Sequence, residues 1–131
     1  MPKTLFICRS NVGRSQIAEA YYNHFTKSKD AVSAATNPDA PLKHKKFLPS
    51  VIKIMAEDKI SMEGAFVKLI TPKMIQQCEK IYVMCKKEQC PAFLITSEKV
   101  IYWDVEDPYT MTIEETRKIR DLIKSKVQAI I

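Results

Sequence analysis

The residues of this chain best suited to chemistry are Cys8 and Arg14, with five residues between them and Ser15 directly after. A thiolate is a strong nucleophile, and a guanidinium is a fork of donors matched to a tetrahedral anion. The pair predicts attack by Cys8 on a tetrahedral oxyanion. The intervening Arg9, Ser10, Asn11, Val12 and Gly13, closed by Arg14 and Ser15, would form the oxyanion-binding loop. A loop that winds into a helix N-terminus aims several backbone N–H groups at one centre. The same field favours the thiolate form of a cysteine held in it. Gly13 would allow close backbone approach, and Asn11 suits a left-handed position. Ser10 and Ser15 can donate to the sulfur, and Arg9 can steer anions. Taken alone, the Cys–Arg spacing recurs by chance, and Cys8 could be an ordinary buried strand residue. Its placement between a strand and a helix makes the chemical reading specific.

An oxyanion reaction also needs a proton for the departing oxygen. Asp104, Glu106 and Asp107 follow a predicted strand, and Pro108 can hold the carboxylate before it over the site. The remaining cysteines are Cys78, Cys85 and Cys90. No secretory signal precedes them, so a disulfide scaffold is not expected, and catalytic, redox or metal-binding roles stay open. Zinc held by Cys78, Cys85 and Cys90 with His24 or His44 would be a binding module, but these spacings are not a strong zinc pattern. Cys78 reads better as a packed small residue on a short helix.

The elements that must position these groups alternate between strand and helix. Lys3–Cys8, Ala31–Ala35, Lys80–Met84 and Lys99–Trp103 read as buried strands. Ile17, Ala18, Tyr21, Tyr22 and Phe25 stripe a helix from Arg14 to about Ser28, with the three aromatics in the core. Pro49 opens a helix running to about Asp58. Thr71 caps another with Pro72 at its first position, ending near Glu79. Thr112 and Glu115 form a capping box before a closing helix striped by Ile113, Ile119, Leu122, Ile123, Val127 and Ile130. Asn37–Leu48, with two prolines and several lysines, reads as a loop, and Ser61–Ile70 is ambiguous. The order predicts an α/β fold, a three-layer arrangement of a four-stranded parallel sheet with helices on both faces, in one domain over residues 1–131. Ligands of such folds bind beyond the carboxyl ends of the strands. That edge gathers the loops after Cys8, after Met84 and after Trp103, with Tyr109 bordering the opening.

Composition limits the alternatives. Hydrophobic residues make up 46% of 131, enough for a core without staples. No apolar run is long enough to cross a bilayer, so no membrane association is expected, and the chain reads as cytoplasmic and monomeric. The net charge of +6 comes from scattered lysines and arginines, grouped only at Lys43–Lys46 and Arg117–Lys126. Without interleaved aromatics this is a solvated basic face, not a nucleic-acid interface, and it would help collect a small anion.

The run Cys8-Arg9-Ser10-Asn11-Val12-Gly13-Arg14-Ser15-Gln16-Ile17-Ala18-Glu19 resembles the signature of the low-molecular-weight protein tyrosine phosphatase superfamily, which includes thioredoxin-coupled arsenate reductases. The resemblance covers nearly the whole chain, although Asn37–Lys46 fits poorly. Many members carry a cysteine where Gly13 stands, so a disulfide within this loop is ruled out. The resemblance implies Asp107 as general acid. Cys85 and Cys90-Pro91 are similar to the cysteines of the reductase branch, although only four residues separate them. The stretch from Trp103 to Lys124 also looks like the reductases, whereas Asp107-Pro108-Tyr109 is similar to the phosphatases. The implied function is a relay through Cys8, Cys85 and Cys90 that reduces arsenate to arsenite, reset by a thioredoxin-like reductant and needing no cofactor. The alternative is hydrolysis of phosphomonoesters through a Cys8 phosphocysteine. Glu19 and Ser33 match potassium-binding positions of some arsenate reductases, but a helix salt bridge and a strand-end cap explain them equally well, and no metal is expected.

Overall fold

The computed structural model describes residues 3–43 and 49–131. Four parallel strands, β1 (Thr4–Cys8), β2 (Ala31–Ala35), β3 (Lys80–Val83) and β4 (Val100–Tyr102), form one sheet in the order β2-β1-β3-β4. Each predicted strand is present, trimmed by a residue at one or both ends except for β2. Cys8 is the last residue of the central strand β1 and pairs with Ala35. The register that joins Ile7 to Val83 brings Met84 beside Cys8, and the Met84 N–H donates to the Ile7 carbonyl at 2.8 Å.

Alternation along β1 sorts the core into two layers. Phe6 and Cys8 pack with Ile17, Tyr21, Ile54 and Ile123, under helices α1 (Arg14–Thr26), α3 (Pro49–Glu57) and α6 (Ile113–Ile130). Leu5 and Ile7 pack with Ile75 and Leu94, under α4 (Pro72–Gln77) and α5 (Ala92–Ile95). Helices therefore cover both faces, as expected. Tyr21 is fully buried, whereas Tyr22 and Phe25 are half-buried against the same core. Phe6 stacks on Tyr82 at 5.6 Å, and Tyr82 contacts Trp103 at 4.5 Å between centroids. These rings fix the start of the loop after β4 relative to β1.

Helix α1 ends before Ser28 because Lys27 adopts a left-handed conformation (φ 52°) and closes the C-terminus. Thr71 caps α4 and Thr112 with Glu115 boxes α6, as the sequence predicts. The expected loop at 37–48 is corrected over its first part. A short helix, α2 (Ala40–Lys43), forms there, because the Asn37 side chain accepts from Asp39 N and Ala40 is fully buried. His44 and the rest of that loop and basic group, 44–48, lie outside the described residues. The 61–70 stretch is irregular apart from a bridge between Ala35 and Leu69. Helix α5 and two 3-10 turns, Lys87–Gln89 and Pro108–Thr110, went unpredicted because each is a single turn, too short for periodicity to register.

One lysine holds α4 to the sheet. Lys99 Nζ donates to the carbonyls of Ile75 (2.7 Å), Cys78 (2.9 Å) and Gln76 (3.3 Å), the open acceptors at the α4 C-terminus. Lys99→Met keeps the stem and strands these acceptors. It should lower stability by about 1–3 kcal/mol, read as a lower urea midpoint at unchanged slope; an unshifted midpoint would show that water replaces the ammonium without loss. On the other face, Glu57 receives Arg117 (2.8 Å) and Arg120 (2.6 Å), which pull its carboxyl down to about 2. That pairing favours the fold at neutral pH and is lost as pH falls through that lowered value.

Candidate active site

β1 delivers Cys8 to the carboxyl edge of the sheet, and the chain then turns through residues 9–13 into α1. Asn11 makes that turn possible, sitting in the left-handed region at φ 57°. Its backbone N–H donates to Cys8 Sγ at 3.3 Å. Its Nδ2 donates to Ser15 Oγ at 2.6 Å, so the Ser15 hydroxyl hydrogen is left to point at Cys8 Sγ, 2.9 Å away. Two hydrogen-bond donors thus converge on the Cys8 sulfur. Ser10, expected to share this role, makes no such contact.

Asn11 is itself held from outside the loop. Its Oδ1 accepts from Gln16 Nε2 and from the Lys68 backbone N–H, each at 3.0 Å. Gln16 Nε2 also donates to the Phe66 carbonyl at 2.9 Å. The ambiguous 61–70 stretch thus braces the nucleophile loop. Sequence reading missed this role, and no local signal could have shown it, because Phe66 acts through a backbone carbonyl and Lys68 through a backbone N–H. Val12 is buried, Arg9 is exposed, and the Arg9 carbonyl accepts from Asn37 N at 2.9 Å. Gly13 (φ −134°, ψ −94°) has its open face covered by Pro108: a Cβ there would meet Pro108 Cγ at 3.5 Å.

Arg14 is almost fully buried and ties three loops together. Its Nη1 donates to the Met84 carbonyl and to the Val105 carbonyl (3.0 Å), and its Nη2 stands 3.6 Å from Asp107 Oδ2. Asp107 uses its other oxygen to cap the following turn, accepting from Tyr109 N at 3.0 Å. Pro108 is buried against Gly13, so the carboxylate before it is held at the nucleophile loop. The structure thus brings Cys8, Arg14, Ser15 and Asp107 together. It leaves Asp104, Glu106 and Tyr109 exposed on the same loop.

Cys85 and Cys90 form a second group. Their sulfurs are 3.6 Å apart, both as free thiols. The Cys90 thiol also donates to the Lys86 carbonyl at 3.4 Å. Cys85 packs in the layer under α4 and α5, whereas Cys8 packs in the layer under α1 and α6. Burial, the Cys90 sulfur and, least of all, Cys8 push the Cys85 thiol up to about 12. Thr36 Oγ1, 3.9 Å from Cys85 Sγ, acts in the opposite direction and is a neighbour the sequence did not reveal. Burial raises Cys90 as well, but its contact with Cys85 lowers it. Within the pair Cys85 is therefore the donor and Cys90 the sulfur better able to carry charge.

The zinc reading fails on placement. Cys78 lies before β3, at the opposite end of that strand from Cys85, and no group of three His, Cys, Asp or Glu among the described residues could hold a metal ion. Glu19 faces Ser33, and burial raises its pKa while Lys68 lowers it. Among the described residues no helix is long and apolar enough to cross a membrane.

Known proteins resemble this chain over its whole length. A glutaredoxin arsenate reductase from Synechocystis is 26% identical over 132 residues, covering 100% of this chain and 97% of that protein. A thioredoxin-dependent arsenate reductase structure from Corynebacterium glutamicum is 28% identical with a TM-score of 0.75, covering 99% of this chain and 60% of that one. Vibrio vulnificus Wzb in complex with benzylphosphonate shares the fold at a TM-score of 0.81 and 22% identity, covering 98% and 95%. Residues 3–131 match the family described as low molecular weight phosphotyrosine protein phosphatase, and the chain belongs to that family.

Proposed function

We propose that this chain reduces arsenate to arsenite by a cysteine relay. The observation that carries the reading is the Cys85–Cys90 sulfur pair at the edge of the nucleophile loop. Phosphoester hydrolysis needs only a nucleophile, a cation and an acid, and leaves two further thiols without work.

The atoms balance as follows. The Cys8 thiolate attacks arsenate held by the loop N–H groups and Arg14, and water departs with a proton from Asp107. Cys85 then attacks Cys8 Sγ. The sulfur–arsenic bond breaks with its electron pair going to arsenic, which leaves as arsenite, and a Cys8–Cys85 disulfide remains. Cys90 attacks Cys85 Sγ and frees the Cys8 thiolate, and a dithiol protein of the thioredoxin type reduces the Cys85–Cys90 bond. Cys85 must leave its layer to do this, so the 84–90 segment moves in each cycle.

The rival reading, phosphomonoester hydrolysis, is favoured by one observation: in its resting position Cys85 is buried and protonated, poorly placed to attack. Cys85→Ser and Cys90→Ser separate the two. Each should cut arsenite formation with thioredoxin and NADPH by about 10³-fold or more and leave p-nitrophenyl phosphate turnover within about threefold. A wild-type protein that hydrolyses the ester but yields no arsenite with a dithiol reductant would overturn the reductase reading and leave the phosphatase one.

A further inference from the structure

We propose that the Lys68 ammonium is the counter-charge of Glu19 behind the nucleophile loop, and that this pair positions Cys8 through Gln16 and Asn11. The inference rests on Cys8 as the nucleophile and holds for either electrophile.

The backbone of Lys68 is fixed on both sides. Its N–H donates to Asn11 Oδ1 at 3.0 Å, and its carbonyl accepts from Ala35 N at 2.7 Å, beside the bridge that joins Leu69 to Ala35. The ammonium turns back to the Phe66 carbonyl at 2.9 Å and lies 4.5 Å from the centre of the Phe66 ring. That carbonyl also accepts from Gln16 Nε2 at 2.9 Å. Gln16 Nε2 gives its second hydrogen to Asn11 Oδ1, Asn11 Nδ2 donates to Ser15 Oγ, and Ser15 Oγ contacts Cys8 Sγ. An unbroken run of hydrogen bonds thus joins the ammonium to the sulfur.

Charge is what the lysine adds beyond its backbone N–H. Glu19 lies one turn beyond Gln16 on α1, on the same helix face. Burial pushes the Glu19 carboxyl up and Lys68 pulls it down, while burial pulls the Lys68 ammonium down and Glu19 pushes it up. Each charge therefore favours the other. Neither takes part in a direct salt bridge among the described residues, so the coupling acts through space. Without the ammonium, a largely desolvated carboxylate would stand uncompensated behind a loop that has to hold a tetrahedral anion. Gln16 cannot take over, because it is fully buried and both hydrogens of its amide are already engaged.

The test compares Lys68→Met, which keeps the stem, with Glu19→Gln/Lys68→Met, which removes both charges. With p-nitrophenyl phosphate, Lys68→Met should lower kcat about 10- to 100-fold, the usual effect of a displaced reacting group. KM should stay within about threefold, because Arg14 keeps both of its carbonyl partners. Lys68→Arg and the double variant should each recover to within about fivefold of wild type. For Lys68→Ala, ammonium chloride should raise turnover about fivefold or more, and tetramethylammonium chloride at equal ionic strength should not. The rate at which iodoacetamide alkylates Cys8, read from the mass of its peptide, should rank the variants in the same order without any turnover. That ranking in a protein that turns over neither ester nor arsenate would support the positioning pair and remove Cys8 as the nucleophile of either reaction. Full turnover by Lys68→Met overturns the proposal. A loss that Glu19→Gln does not relieve and ammonium does not restore overturns it as well, since the lysine would then only pack.

Discussion

Cys8→Ser should abolish arsenate reduction and phosphomonoester hydrolysis together, by about 10⁴-fold or more, while the anion still binds. Both reactions begin at this sulfur. The Asn11 N–H and the Ser15 hydroxyl hold it at 3.3 and 2.9 Å, and a serine hydroxyl in the same place is a far weaker nucleophile than a thiol. The anion-binding groups are untouched by the change, because Arg14 is held by the Met84 and Val105 carbonyls and the loop by Asn11. Phosphate should therefore raise the thermal midpoint of Cys8→Ser as it does that of the wild type. Turnover with either substrate by Cys8→Ser would remove Cys8 as nucleophile. Loss of the phosphate effect along with turnover would mean instead that the loop had collapsed.

Asp107→Asn should lower turnover according to how much the leaving oxygen needs a proton. For an alkyl phosphate the loss should be about 10²–10⁴-fold, the usual worth of a positioned acid. For p-nitrophenyl phosphate, whose leaving group departs as a stable anion, it should be much smaller. The substitution is mild on structure. Asparagine keeps the oxygen that accepts from Tyr109 N, and Pro108 still packs on Gly13. What disappears is the ionisable oxygen beside Arg14. Equal losses for both esters would reassign Asp107 to holding Arg14 and leave Asp104 and Glu106 as the carboxylates to test.

Much of this site was legible because it is local. Cys8, Asn11, Arg14 and Ser15 fall within one strand–loop–helix unit, and their spacing already implies the left-handed turn at Asn11 and the helix start at Arg14. The Thr71, Pro72 and Thr112–Glu115 start signals are equally short-range and appear where expected. The packing over Gly13 was not legible: Pro108, from the other end of the chain, covers it, 3.5 Å from where a Cβ would stand. The contribution of Phe66 and Lys68 was illegible on the same grounds, since it passes through backbone groups that any residue would supply.

Local pattern was enough to specify a parallel α/β sheet, a cysteine at the end of its first strand and a carboxylate-bearing loop at the end of its last. Chain-neighbour periodicity, capping and turn chemistry are sufficient for these. The relation between the thiols was settled only by tertiary packing. Strand register puts Met84, not Cys85, beside Cys8, and strand alternation sends Cys8 and Cys85 into opposite core layers. Side chains of adjacent residues on extended chain point to opposite faces. Cys85 consequently rests against Cys90, in the layer opposite Cys8.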